Sequence, residues 1–101
     1  MNKSSRKPRN RMMYKAILSL QTEEDCVHFF EDLCTVTELQ AMEQRFQVAW
    51  LLSKGMIYND ILAETGASSA TISRVKRSLQ YGADGYAAVF KSIEGEAEEA
   101  E

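Results

Sequence analysis

The segment YNDILAETGASSATISRVKRSLQ, residues 58–80, decides the fold. Its apolar residues recur at three- and four-residue steps on both sides of Gly66, which is helical spacing; the two-residue alternation of a strand is absent. Gly66 stands where the chain must leave the first helix in a left-handed conformation that costs other residues ~1 kcal/mol or more. Ser68 is placed to cap a second helix, its side-chain oxygen accepting from an amide of the first turn. Ile61, Leu62 and Thr65 are expected to face inward from the first helix, and Ile72, Val75 and Leu79 from the second. The reading is helix, short turn, helix.

The outer face of the second helix carries Ser69, Ala70, Ser73, Arg74, Lys76, Arg77 and Gln80. Small residues at its N-terminal end let such a helix enter a major groove, and arginine and lysine further along reach phosphates or guanine edges. From Ala67 to Ala83 there is no acidic residue. A short basic run alone is usually a solvated face; here turn, buried register and charge agree on a face that reads duplex DNA.

The charge of the remaining chain is segregated. The net value of −3 combines an N-terminal arm with Lys3, Arg6, Lys7, Arg9, Arg11 and Lys15, which is +6, and a C-terminal stretch with Glu94, Glu96, Glu98, Glu99 and Glu101, which is −5. The division expected is a basic flexible arm over residues 1–10, one domain over 11–93 and an acidic disordered tail over 94–101. The arm can add salt-dependent phosphate contacts or enter a minor groove.

Upstream of the motif the periodicity is also helical. A first helix is expected from about Arg11 to Leu20, with Met13, Ile17 and Leu20 on one face and Tyr14 and Leu18 beside them. Thr22, followed by Glu23, Glu24 and Asp25, reads as the cap of a second helix whose buried stripe is Cys26, Phe29, Phe30 and Leu33. Thr35 and Glu38 have capping-box spacing and open the longest helix, which runs to about Lys54 and stops at Gly55. Leu39, Met42, Phe46 and Ala49 form one stripe of it, and Ala41, Val48, Trp50, Leu51 and Leu52 add apolar surface on other faces. One layer of a small monomer cannot cover that circumference, so a neighbour from another chain is expected. Downstream, Tyr81, Gly82, Gly85 and Tyr86 lead into an amphipathic helix with Val89, Phe90 and Ile93, read as a cap over the motif or, in a second reading, as a ligand wall.

With 101 residues, 45% of them apolar, and a single proline, the chain has the composition of one globular domain. No apolar run approaches the ~20 residues that span a bilayer, and no leader pattern follows the basic arm, so a cytoplasmic protein without membrane contact is expected. Cys26 and Cys34, eight apart on what reads as one helix, are expected to be buried thiols without a disulfide. Cys26, His28 and Cys34 lack the spacing of a zinc site, so no metal is expected. No nucleophile with a base and no phosphate-cradling glycine loop is visible, which argues against an enzyme.

The wider stretch, TVTELQAMEQRFQVAWLLSKG before ILAETGASSATISRVKRSL, with FFEDLC ahead of it and LQYGADGY behind, resembles the tryptophan repressor family and in particular its YerC/YecD branch. The likeness covers roughly residues 16–90. It implies an all-α, Trp-repressor-like bundle with a helix-turn-helix, an intertwined homodimer, and a probe of double-stranded DNA whose two half-sites lie about one helical turn, ~34 Å, apart. Matches to the family's operator contacts fall on Tyr58, Asn59, Ser69, Ala70 and Ser73; Ser68, Thr71, Arg74, Lys76 and Arg77 complete the expected DNA-binding set. Matches to its corepressor pocket fall on Thr35, Arg45, Thr71, Arg74 and Ser78. Val75 stands where the family has a glycine against the ligand, and its branched side chain occupies ligand volume. No cofactor is therefore expected, an amino-acid corepressor being the alternative. The expectation is a DNA-binding transcriptional regulator, most simply a repressor, with a protein-interaction module that no longer reads DNA as the rival.

Overall fold

The computed structural model describes residues 8–100, with side chains through residue 95. Residues 1–7, most of the basic arm, lie outside the described residues. Six helices follow in order: α1 (Arg11–Leu18), α2 (Glu23–Leu33), α3 (Val36–Ser53), α4 (Tyr58–Thr65), α5 (Ser69–Tyr81) and α6 (Gly85–Ala100). No strand occurs among the described residues, and none of the helices is long and apolar enough to cross a membrane.

The chain divides into two compact units, one through Leu39 and one from Gln40. In the first, local side-chain chemistry sets the helix starts. Asn10 accepts from the Met13 amide at 3.2 Å, a cap that the sequence reading did not identify. Thr22 Oγ1 accepts from the Asp25 amide at 3.0 Å, and three acids in the first turn of α2 complement the positive end of its dipole. At α3 both arms of the capping box form: the Glu38 amide donates to Thr35 Oγ1 at 3.1 Å and the Thr35 amide to Glu38 Oε1 at 2.8 Å.

The stripes expected to be buried in this unit are not. No residue of α1 or α2 is buried; Cys26 and Leu33 are exposed and Phe29 and Phe30 half-buried, their rings edge to face at 5.5 Å. Met13, Ile17 and Leu20 are half-buried, while Leu18 is 85% exposed and closes a helix shorter than expected. Cys34 is half-buried and caps α2 in an extended conformation, so the two cysteines do not share one helix. Two short amphipathic helices do not enclose each other's apolar faces within one chain.

The second unit holds the core: Val48, Ala49, Ile61, Ala67, Ile72, Val75 and Phe90, with Trp50, Leu51, Leu52, Met56, Leu79 and Tyr86 packed against it. Only the C-terminal half of α3 contributes buried residues; Met42 and Phe46 from the expected stripe remain about two-fifths exposed. The helix ends at Ser53, before Gly55. Leu62 is also 40% exposed, a correction to its expected inward position. One step of ~100° around α4 separates it from the fully buried Ile61, which takes the core position. Ala67, in the turn between α4 and α5, is fully buried.

Phe90 seats α6 on α3. Its ring lies 5.5 Å from Phe46 and 5.3 Å from Trp50, both edge to face, and stacks with Tyr86 at 5.6 Å. Lys54, 4.4 Å from the Trp50 ring centroid, also pairs with Glu94. The backbone of α6 is helical through Ala100. Alanine and glutamate both have favourable helix propensity, which carries the helix into the acidic stretch.

Candidate nucleic-acid interface

The local chemistry around Gly66 builds the motif. Gly66 adopts φ +68 and its amide closes α4 onto the Leu62 carbonyl at 2.9 Å. Thr65 Oγ1 donates to the Ile61 carbonyl at 2.8 Å and accepts from the Ala67 amide at 3.1 Å, so one hydroxyl shapes the turn. Ser68 then caps α5, accepting from the Thr71 amide at 3.1 Å; its hydroxyl also bonds that of Thr71 at the same distance. Gln44, on α3, donates to the Thr65 carbonyl at 3.2 Å and ties the turn to the scaffold. Sequence reasoning missed Gln44. Its sign was a polar residue between Ala41 and Val48 at helical spacing, on a face otherwise apolar.

With Ile72 and Val75 buried beneath it, α5 presents Ser69, Ala70, Ser73, Arg74, Lys76 and Arg77 to solvent, all exposed. Tyr58 and Asn59 are exposed at the start of α4, where Ile57 offers no side-chain cap. The Asp60 and Ile61 amides both donate to the Ile57 carbonyl at 3.1 Å, and Asp60 places an acid in that turn. Thr71 is half-buried, its hydroxyl engaged with Ser68. Nine of the ten expected contact residues therefore lie exposed on the motif, and Thr71 supports its capping serine.

Of the five residues matched to a corepressor pocket, Arg45, Thr71, Arg74 and Ser78 lie in the second unit and Thr35 in the first. Arg74 and Ser78 line a shallow cleft of about 240 Å³ with Arg77, Tyr81 and Gly82. A larger open cleft of about 520 Å³ is walled by Phe46, Leu79, Tyr86 and Val89 and also touches Ser78. Arg45 and Thr71 line neither. Thr35 spends its hydroxyl on the α3 cap, and Val75 is buried in the core. Among the described residues the ion pair within 4 Å is that of Lys54 with Glu94.

Six helices, with no strand among the described residues and a glycine-closed turn setting an exposed basic helix on a small core, define the helix-turn-helix class. Comparison with known proteins specifies it further. The family model described as Trp repressor protein matches residues 9–94, and the chain belongs to that family, one of DNA-binding regulators and not of enzymes. It is 54% identical over 74 residues to the uncharacterised YerC protein of Bacillus subtilis, covering 73% of this chain and 71% of that one. A crystal structure of a candidate Trp repressor from Staphylococcus aureus superposes with a TM-score of 0.81 at 49% identity, over 83% of this chain and 84% of the other. A TrpR-like protein from Eubacterium eligens gives 0.79, also at 49% identity, over 82% and 86%. The family match extends beyond residues 16–90, taking in the whole of α1 and more of α6.

Proposed function

We propose that the chain is a sequence-specific, DNA-binding transcriptional regulator acting in the cytoplasm as a homodimer, with repression as its mode. The observation that carries the reading is the outer face of α5: six small or basic residues, all exposed, in a stretch without an acid, held by a buried Ile72 and Val75. Ser69, Ala70, Ser73 and Asn59 approach base edges. Arg74, Lys76 and Arg77, with the basic arm, hold phosphates. Neither a chemical step nor a cofactor belongs to this reading.

This division of labour predicts different failures. Arg77→Ala should weaken binding to every duplex and lower the slope of log affinity against log salt by about one, whereas Ser73→Ala should change base preference and leave the slope alone. Fluorescence anisotropy over a salt series with matched and scrambled duplexes reads both. Equal losses for both variants on all sequences would refute the assignment.

A further inference from the structure

Tyr81 has no place in the reading above. It is 78% exposed at the last position of α5, far more than a residue capping a core, and its ring centroid lies 6.0 Å from the guanidinium carbon of Arg77. Arg74, Arg77, Ser78 and Tyr81 fall at helical spacing along one side of α5 and, with Gly82, line the cleft of about 240 Å³. Two guanidiniums thus flank one concavity. Among the described residues neither has an acidic partner within 4 Å, and none is available nearby from Ala67 to Ala83. Such a site favours an oxyanion held by planar N–H forks, and a tyrosine face beneath one guanidinium fixes the orientation of its fork.

The position selects the source of that oxyanion. At ~1.5 Å per residue, Arg77 and Tyr81 stand roughly 10 to 18 Å along the axis from Ser69 and Ala70. A major groove is ~12 Å wide, so a helix with its N-terminal end on the bases brings these residues to the groove's rim, where the phosphates run. We infer that the Arg74, Arg77, Ser78, Tyr81 and Gly82 cleft is a clamp for one backbone phosphate of duplex DNA, with Tyr81 a positioning residue that acts through Arg77. The inference rests on the DNA-binding reading and adds to it a residue and a defined site.

A double-mutant cycle on the full chain tests it, with non-specific duplex as one probe and inorganic phosphate as the other. Tyr81→Ala should weaken duplex binding about fivefold in the presence of Arg77 and cause no further loss in Arg77→Ala, while Tyr81→Phe, which keeps the ring, should stay within about twofold of wild type. Thermal unfolding of Tyr81→Ala should match wild type, because the side chain is exposed. Duplex binding by wild type with no loss in Tyr81→Ala, or equal losses in both backgrounds, would overturn the clamp and leave the DNA reading intact. Absence of duplex binding at low salt would overturn both. Saturable binding of inorganic phosphate to the cleft as tight as that of duplex would make it a small-anion site and overturn the clamp.

Discussion

Gly82 shows how much one residue can control at the end of a recognition helix. Its amide closes α5 onto the Ser78 carbonyl at 2.9 Å, and a Cβ added there would collide with that same backbone oxygen. Gly82→Ala should therefore cost ~1 to 3 kcal/mol, read as a lowered midpoint of thermal or denaturant unfolding; an unchanged midpoint would mean that the chain turns there by another route. Ser68→Ala should cost ~1 kcal/mol by uncapping α5. Both roles of Ser68 and Gly66 were legible in the sequence because they depend on neighbours a few residues away. The exposure of Leu62 and the burial of Ala67 were not. Ile61 and Leu62 are adjacent apolar residues, and only the packed partner decides which of the two points inward.

At the scale of elements, α3 separates what a helix owes to its sequence from what it owes to its neighbours. Its start follows from Thr35 and Glu38, whose reciprocal bonds appear as the spacing predicted. Its stripe does not follow: only Val48 and Ala49 are buried. The over-apolar circumference was readable, but which arc meets α4, α5 and α6 depends on contacts distant in sequence. Phe90 is the main anchor of α6, in ring contact with Phe46, Trp50 and Tyr86. Phe90→Ala should cost ~3 to 5 kcal/mol, measured by urea unfolding. A loss below that of a surface substitution would show that α6 is not anchored through this ring.

For the whole molecule, the exposed apolar surface is the feature that the single chain leaves unexplained. Met12, Leu18, Val27, Leu33 and Val36 are each at least half exposed, with Leu18 at 85%. The proposed homodimer covers such surface, and its unfolding midpoint should then rise with protein concentration, since association stabilises by mass action. Leu18→Glu separates the alternatives: on a monomer a residue so exposed tolerates the change, whereas at an interface it buries a charge and should yield monomers in sedimentation equilibrium. A midpoint independent of concentration, with Leu18→Glu behaving as wild type, would exclude the dimer. The fold class was legible because periodicity and caps are local. How Thr35, Arg45, Thr71, Arg74 and Ser78 stand relative to one another depends on how separate helices meet, which local signals do not carry. The most direct measurement of the central claim is selection of binding sites from a random duplex library by the purified full chain at ~150 mM salt, where non-specific phosphate binding is suppressed. The account predicts an enriched, two-fold-symmetric motif with half-sites ~34 Å apart, altered by Ser73→Ala; no enrichment would contradict it and leave the rival reading, a helix-turn-helix that docks a protein partner.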